Sequence, residues 1–313
     1  MTTTHLPVPV DQLAAWCIRW LGCPPADILF TAGHLSTVVG ARLSDGRRVV
    51  VKARLLPASR VAACTGVQRS LAGAGFPCPL PVAGPRPLGP LTATAETYLP
   101  GGQILPAGKD LTAVSARALA RLITLTPPAD TVAGLDPPPP WAWPRHDHQA
   151  LWPDPDDSDA DLNAHPGPQW LDDLAHRIRE RLRGLTLPPV VGHIDWEAQN
   201  LRWTDDGQLH AAHDWDSLTA QPEPVIAGLA AAVHTATGAP ATEASTTQAA
   251  AFLTTYQQAR SRHFTAEETQ IAWAAGLWVR AFNAKKDTLH PNATTALDRL
   301  ATEAPQRLRL AAA

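Results

Sequence analysis

A short hairpin between two polar stretches constrains this chain more than any other feature of its sequence. Residues 192–200 read GHIDWEAQN, and residues 213–216 read HDWD. Between them lie two short strand-like segments separated by residues 205–207 (DDG), a combination that strongly favours a turn. Folding the hairpin about this turn places Asn200 opposite Ala212, so both polar stretches reach the same open end.

Three oxygen-bearing side chains are expected to meet at that open end. Asp214 lies just beyond Ala212, and Asp195 leads into the same end from the segment before Asn200. Opposed side chains in such a ladder lie about 5 Å apart. Carboxylate and amide oxygens are the ligands that Mg²⁺ prefers, and a carboxylate can also accept a proton as a general base. We therefore predict a metal site with an adjacent base.

The composition argues against several classes of protein. The 313 residues suffice for one large domain or two lobes, and a formal charge of −3 leaves no basic footprint for nucleic acid. The first residues lack the basic and apolar regions of a signal peptide, and no apolar run is long enough to span a membrane. The four cysteines show no Cys-x-x-Cys spacing, which indicates reduced thiols. We expect a cytoplasmic protein with no nucleic-acid or membrane partner.

The first hundred residues are typical of a small, mostly antiparallel sheet with one helix packed on it. Apolar residues at helical spacing also predict an opening helix over residues 10–21. A helix capped by Ser59 is expected to run to about Ala72. The predicted strands cover residues 28–31, 38–43, 49–53 and 92–99.

The remainder is predicted to be mainly helical, which makes the fold class α+β. The predicted helices cover residues 111–125 and 170–183, follow a capping box at Thr265, and occupy the tail from residue 294.

A composition break near residues 100–103 marks the predicted boundary between an N-lobe of residues 1–99 and a C-lobe of residues 100–313. The predicted C-lobe contains the hairpin with its two polar stretches and most of the predicted helices. Residues 127–168 are rich in Pro and Trp, and we interpret them as a long surface excursion or a lid.

Lys52 is a second candidate for chemistry, because the chain contains only four lysines and this one ends an apolar strand. A compact ammonium on a buried strand is costly unless an anion meets it, and a nucleotide phosphate would serve. The loop of residues 32–37 lies just upstream and offers backbone N–H groups around Gly33, Ser36 and Thr37. An ordinary hairpin loop and a strand-end lysine that reaches solvent remain the alternatives.

The order of these parts is that of eukaryotic-type kinases: a phosphate loop, a third-strand lysine, a helix, a His-x-Asp-x₄-Asn motif and a later Asp. The chain resembles the aminoglycoside phosphotransferase family of small-molecule kinases. The matching segments are residues 51–52 (VK), 98–101 (YLPG), 193–200 and 214–216 (DWD). In this family Asp-Trp stands where protein kinases carry Asp-Phe-Gly, and the resemblance covers about residues 28–235.

The resemblance implies a bilobal protein-kinase-like fold, with a small antiparallel-sheet N-lobe and a mainly helical C-lobe. It also implies transfer of a phosphate from ATP or GTP, with Mg²⁺, to a hydroxyl of a small molecule. An aminoglycoside-like antibiotic is the leading acceptor, which would make the protein an antibiotic-resistance enzyme. A sugar, an amino alcohol or another metabolite is the alternative.

The resemblance also implies roles for individual residues. Asp195 would accept or orient the acceptor hydroxyl, Asn200 and Asp214 would hold Mg²⁺, and His193 would fix the catalytic loop. The residues expected to bind the nucleotide are Lys52, Gly33, Ser36, Thr37, Glu96, Tyr98 and Leu99. Asp216 would support the metal or contact the substrate, and packing of its loop explains its position equally well.

Two departures from the kinase pattern stand out. Kinases pair the third-strand lysine with a Glu on the following helix, but no Asp or Glu occurs between Lys52 and Glu96. By spacing, the expected position falls on Cys64, with Gln68 as the next candidate, which leaves a non-catalytic pseudokinase as an alternative. The second departure is the lack of a recognisable activation segment after Asp214, which argues against a protein kinase.

A metal-dependent hydrolase is the remaining alternative. It would use His193 and Asp195 together with His210, His213 and Asp214. Side chains three residues apart on a strand point to opposite faces, so His210 and His213 are poor partners for one metal ion.

Overall fold

The computed structural model describes residues 8–33, 36–106, 108–135, 139, 150–155, 160–237, 243–290 and 295–313. Much of the Pro/Trp-rich stretch, with Trp141 and Trp143, lies outside the described residues, so its predicted role as a lid remains untested. The part of it that is described includes a 3₁₀ turn at Ala129–Thr131 and the buried Trp152, which stacks on Trp278.

A five-stranded antiparallel sheet forms most of the N-terminal part. Its strands are β1 (Pro25–Ala32), β2 (Ser36–Leu43), β3 (Arg48–Arg54), β4 (Pro81–Leu88) and β5 (Leu91–Thr97). The order across the sheet is β1-β2-β3-β5-β4, so β3 lies at the centre between β2 and β5. Helix α1 (Val10–Leu21) covers one face and shares a hydrophobic core with residues of β2, β3 and β5.

The helix between β3 and β4 belongs to both parts of the molecule. Helix α2 (Ala58–Gly73) buries Cys64, Val67 and Leu71 in the larger hydrophobic core, which continues into the helical part. Its N-cap is Pro57, whose side chain makes no capping hydrogen bond, so the prediction of a Ser59 cap was wrong. The helix begins at Ala58, two residues earlier than a Ser59 cap would set it, because Pro57 has an extended backbone that leads directly into it.

The C-terminal part is mainly helical, as the fold class predicted. Its helices are α3 (Lys109–Leu125), α4 (Gln169–Leu182), α5 (Glu223–Val233), α6 (Thr246–Arg260), α7 (Ala266–Asp287) and α8 (Thr295–Ala311). Helix α7 packs against α4, α5 and α8 and lies at the centre of this bundle. Gly228 allows the closest of these contacts, because a Cβ there would lie 2.0 Å from the Ala272 carbonyl oxygen. Within the described residues, no helix combines the length and apolar character needed to cross a membrane.

Two short antiparallel pairs carry the predicted polar stretches. Strand β6 (Pro189–His193) pairs with β9 (Leu218–Pro222), and β7 (Leu201–Trp203) pairs with β8 (Leu209–Ala212). A backbone bridge between Gln103 and Trp203 attaches the segment after β5 to β7. The division into lobes at residues 99 and 100 stays a prediction.

The β7–β8 hairpin departs from its predicted register by one residue. Next to the turn, Trp203 lies opposite Leu209 as predicted, but a bulge then shifts the ladder so that Ala212 pairs with Leu201. Asn200 is therefore not opposite Ala212. The bulge lies on the β8 side at His210, whose Nε2 bonds to the Pro100 carbonyl oxygen at 3.0 Å. This hydrogen bond stabilises the bulge and links the hairpin a second time to the segment after β5.

Candidate active site

The segment after β6 forms a loop closed by a single amide. Asp195 follows β6, and Asn200 ends a 3₁₀ turn at Ala198–Asn200. The Asn200 Nδ2 group donates to Asp195 Oδ2 at 2.8 Å and to the Asp195 carbonyl oxygen at 3.0 Å. Because both contacts engage the nitrogen end of the amide, its Oδ1 atom is the end left for a cation. The structure therefore brings the predicted base and one predicted metal ligand into direct contact.

Asp214 stands at the start of the return path from the hairpin. The preceding residue, His213, donates its backbone N–H to the Asn200 carbonyl oxygen at 2.9 Å. This hydrogen bond brings the backbone next to Asp214 against Asn200. Asp214 itself has φ 61° and ψ 53°, a left-handed conformation in which Asp is among the better tolerated residues. One carboxylate and one amide oxygen are hard donors that fit a Mg²⁺ site.

His193 is a fully buried support for this loop. Its Nε2–H donates to the His213 carbonyl oxygen at 3.0 Å, and its ring packs edge-on against Trp196 and Trp215. Burial lowers the pKa of His193 below its usual value, although the carboxylate of Asp214 opposes this shift. A neutral histidine that joins the two polar stretches fits the predicted structural role.

Lys52 lies at the centre of the sheet and has an acidic partner. Its Nζ atom lies 3.0 Å from Glu96 Oε1, and the two side chains are 14% and 8% exposed. Burial of the ammonium opposes its charge, but the carboxylates of Glu96, Asp214 and Asp216 outweigh this and raise the pKa of Lys52. The predicted phosphate-binding lysine is thus charged and lies near the predicted metal ligand Asp214.

Arg54 and Asp216 form a second buried ion pair that the sequence did not suggest. Arg54 Nη2 lies 2.6 Å from Asp216 Oδ1, and the side chains are 7% and 19% exposed. Burial raises the pKa of Asp216 to about 6, with the Arg54 charge acting in the opposite direction. Because Arg54 ends β3 and Asp216 follows the catalytic hairpin, this pair joins the sheet to the hairpin. The sequence signal that could have indicated this pair is a basic residue two positions after Lys52, on the same face of the strand.

The predicted phosphate loop lies between β1 and β2, beside the end of β3. Gly33 has φ 148°, and Ser36 and Thr37 begin β2 opposite Arg54 and Ala53. Residues 34 and 35, at the tip of this loop, lie outside the described residues. The loop is therefore close in the sheet to the strand that carries Lys52, and phosphate binding by its residues stays a prediction.

The predicted base-binding segment follows β5. Tyr98 donates its backbone N–H to the Arg48 carbonyl oxygen at 3.1 Å, and its ring lies beneath the Arg48 guanidinium and 6.0 Å from the Phe30 ring. Glu96, in contrast, lies within β5, with its side chain directed to Lys52. Leu99 comes directly after this segment and leads into Pro100, which accepts the hydrogen bond from the hairpin.

Buried carboxyl groups with raised pKa values lie elsewhere in the C-terminal part, and one of them, Glu197, is two residues after Asp195. Burial raises the pKa of Glu197 to about 7, with smaller contributions from Glu243 and Asp214 and an opposing hydrogen bond from Gln199. Burial and Glu243 also raise the pKa of Asp287 to about 6. An acidic residue two positions after the predicted base was the only indication in the sequence.

The geometry does not support the metal-dependent hydrolase. Within the part of the chain that is described, no three His, Cys, Asp or Glu side chains lie together as a metal-binding group. His193 is directed to the His213 carbonyl oxygen, and His210 to the Pro100 carbonyl oxygen. These imidazoles therefore face away from a shared centre.

Known proteins share both this fold and this family. The model of the phosphotransferase enzyme family (APH) matches residues 28–264, whereas no curated protein sequence matches. An amicoumacin kinase solved with AMP-PNP and Ca²⁺ is 12% identical, with 93% of this chain and 89% of that chain covered and a TM-score of 0.61. A spectinomycin phosphotransferase solved with ADP is 13% identical, with 98% of both chains covered and a TM-score of 0.58.

A third solved structure with this fold is named for a different acceptor. An ethanolamine kinase from Plasmodium vivax is 10% identical, with 88% of this chain and 81% of that chain covered and a TM-score of 0.57. At these identities the likeness to solved structures shows a shared fold. Together with the family model, which covers most of the chain, it establishes that this chain belongs to the phosphotransferase enzyme family and is a small-molecule phosphotransferase.

Proposed function

We propose that the protein transfers the γ-phosphate of ATP, with Mg²⁺, to a hydroxyl group of an amine-bearing small molecule. The observation that carries this proposal is the contact between Asn200 Nδ2 and Asp195 Oδ2 at 2.8 Å. One amide orients the carboxylate that would meet the acceptor hydroxyl, and its other end is left for a cation at the phosphates. This shared orientation suits in-line phosphoryl transfer, in which positioning and charge neutralisation dominate.

In the proposed reaction, the acceptor oxygen attacks the γ-phosphorus and the bond to the β–γ bridging oxygen breaks. ADP leaves with the electron pair of that bond, and the hydroxyl proton passes to Asp195. Lys52 binds the phosphates as a charged ammonium. Asn200 Oδ1 and the Asp214 carboxylate would hold Mg²⁺, which would neutralise phosphate charge. His193 keeps the two polar stretches in place through the His213 carbonyl oxygen.

ATP is the proposed donor because the solved relatives contain AMP-PNP or ADP. The phosphates would meet the loop at Gly33, Ser36 and Thr37, and the base would meet the segment of Tyr98 and Leu99. We assign no base contact to the Glu96 side chain, since it is directed to Lys52. GTP is the second nucleotide to test.

An amine-bearing acceptor is favoured by the buried carboxyl group of Glu197, two residues after Asp195, and by the carboxylates whose charges act on it. The charge of Glu243 raises the pKa of both Glu197 and Asp287, while Lys286 acts in the opposite direction on both. The relatives named for amicoumacin, spectinomycin and ethanolamine share the fold. A cationic group on the acceptor would neutralise carboxylates that burial otherwise penalises. Modification of an aminoglycoside-like antibiotic in the cytoplasm, with resistance as its consequence, is the leading form of this proposal. A metabolic amino alcohol or a sugar is the second.

A screen of acceptors tests the proposal directly. Release of ADP or GDP would be measured with spectinomycin, a macrolide, ethanolamine and a neutral hexose, each with and without Mg²⁺. Turnover with at least one amine-bearing acceptor supports the proposal. Nucleotide binding without turnover on any acceptor would instead identify a non-catalytic pseudokinase, and turnover of the hexose alone would refute the amine requirement.

A variant of Glu197 distinguishes recognition of the acceptor amine from an effect on all acceptors. Glu197→Gln is expected to raise the KM of a cationic acceptor about tenfold, because a hydrogen bond between charged groups is lost. The KM of a neutral acceptor should stay unchanged. Glu180→Gln, which alters an exposed carboxylate on α4, is the matched control.

A further inference from the structure

The acidic partner of Lys52 comes from the sheet and not from the helix that follows the lysine. Strand β5 runs beside β3, with Thr94 opposite Lys52 and Glu96 opposite Val50. Lys52 and Glu96 are therefore diagonal neighbours on one face, a spacing that long side chains can span. The Lys52 Nζ to Glu96 Oε1 distance is 3.0 Å. The pair is complete without any carboxylate from α2.

Helix α2 contributes a neutral side chain to the same pair. Gln68, which is 4% exposed, donates from Nε2 to Glu96 Oε2 at 2.9 Å and to the Pro79 carbonyl oxygen at 2.8 Å. One carboxylate oxygen of Glu96 thus faces a cation, and the other accepts from an amide. With both oxygens engaged, the carboxylate has a fixed orientation toward Lys52.

We propose that Glu96 is the positioning residue for Lys52 and that Gln68 holds Glu96 in place, so that the orientation of the phosphate-binding lysine is set within the sheet. This inference rests on the proposed function, because Lys52 is taken to bind the nucleotide phosphates. In kinases the corresponding Glu lies on the helix, so movement of the helix can make or break the pair. Here both charges lie on adjacent paired strands, and the helix contributes only the neutral amide of Gln68.

The position of Cys64 fits this arrangement. By spacing, Cys64 occupies the helix position expected for the acidic residue, and it is buried with its Sγ atom 4.0 Å from the Asp216 carbonyl oxygen. Burial raises the pKa of Cys64 to about 11, so this thiol is neutral at physiological pH. A neutral side chain at this place leaves Glu96 to balance the charge of Lys52.

Nucleotide binding to the whole protein tests the proposal without an acceptor. Binding of ATP with Mg²⁺ would be measured by calorimetry for the wild type, Glu96→Gln and Glu96→Gln/Gln68→Glu. Glu96→Gln is expected to weaken ATP binding about 10- to 100-fold, because a hydrogen bond to a charged group is lost. The double variant returns a carboxylate to the helix and is expected to recover most of that loss. The control is Glu223→Gln, which removes another buried carboxylate. Glu223 pairs with Arg260 in the C-terminal part and is distant in sequence from Lys52, so this change should leave ATP binding unchanged.

Kinetics and a second background separate positioning from a structural role. For Glu96→Gln, the KM of ATP should rise while the KM of the acceptor stays within twofold. In a Lys52→Met background, Glu96→Gln should cause no further loss, because Glu96 acts through Lys52. Gln68→Leu retains both charges and should weaken ATP binding about 2- to 10-fold, which keeps the proposal testable if Glu96→Gln does not fold.

The outcomes separate this inference from the proposed function. Equal ATP affinity in the wild type and Glu96→Gln, or additive losses in the Lys52→Met background, would overturn the positioning role. A wild type that binds no nucleotide would instead refute the phosphotransferase proposal itself.

Discussion

The Arg54–Asp216 pair predicts a stability change whose size depends on pH. The guanidinium and the carboxylate lie 2.6 Å apart and are 7% and 19% exposed. Arg54→Met keeps much of the aliphatic stem but leaves Asp216 without its cation. Burial raises the pKa of Asp216 to about 6 even with Arg54 present, so the pKa in the variant should be higher still.

The direction of the stability change with pH follows from the number of protons that the folded and unfolded states bind. In the wild type the folded protein releases the Asp216 proton near pH 6, whereas the variant keeps it to higher pH. Above pH 6, the free energy of unfolding of the variant should therefore fall relative to the wild type by about 1.4 kcal/mol per pH unit. By pH 7.5 this difference reaches up to about 2 kcal/mol.

Urea unfolding at pH 5.5, 6.5 and 7.5, followed by tryptophan fluorescence, measures this difference. The matched control repeats Arg54→Met in an Asp216→Asn background, where no carboxyl remains to titrate and the cost should not vary with pH. The reasoning would be refuted if Arg54→Met lowered the free energy of unfolding by the same amount at all three pH values when Asp216 is intact. It would also be refuted if the loss still depended on pH in the Asp216→Asn background.

Three further predictions concern the catalytic loop and its neighbour on α2. Asp195→Asn should reduce turnover at least 100-fold while ATP affinity stays within threefold, measured by ADP release and calorimetry, because the base is lost but no phosphate ligand is; retained turnover would contradict its role. Asp214→Ala should abolish the Mg²⁺ dependence of ATP binding in a thermal-shift titration, and an unchanged titration would exclude Asp214 as a ligand. Cys64→Ala should leave the KM of ATP unchanged, since Glu96 supplies the charge beside Lys52; a rise of tenfold would show that the thiol orients the lysine.

Elements with local sequence signals were predicted well. Helix α1 has the bounds Val10–Leu21 that apolar periodicity indicated, and the Thr265–Glu268 capping box opens α7 as expected. Such signals lie within a few residues of each other, so they need no knowledge of the tertiary structure. The same holds for the hairpin turn, where the register next to residues 205–207 was correct.

Elements that depend on distant parts of the chain were missed. Strand β4 contains Pro81, Pro85 and Pro87, which argue against a strand, but β4 is an edge strand and tolerates them. All residues of α5, Glu223–Val233, are buried, so no polar face reveals a helical period. The bulge that displaces Asn200 from Ala212 depends on the contact of His210 with a segment more than a hundred residues earlier.

The partner of Lys52 shows why the candidate site was only half predictable. Kinases carry the acidic partner of this lysine on the following helix, so the expected position for it lies on α2. Yet Glu96 lies within an otherwise apolar and small-residue strand, and a carboxylate in such a strand requires a cation as much as Lys52 requires an anion. Two opposite charges on two buried strands, with no other acid between them, indicate a pair across the sheet. That inference was available from the residues alone.

Lys52 and Arg54, the two cationic residues near the end of β3, have different partners and therefore different expected roles. Lys52 and Arg54 are two residues apart on one strand, so their side chains lie on the same face of the sheet. Lys52 pairs within the sheet with Glu96, whereas Arg54 pairs with Asp216 beyond the catalytic hairpin. A change at Glu96 should therefore alter both nucleotide binding and stability, whereas a change at Arg54 should act mainly on stability. Because both carboxylates act on the charge of Lys52, a deprotonated Asp216 also favours the charged lysine, so the assembled hairpin and the phosphate-binding cation support each other above pH 6.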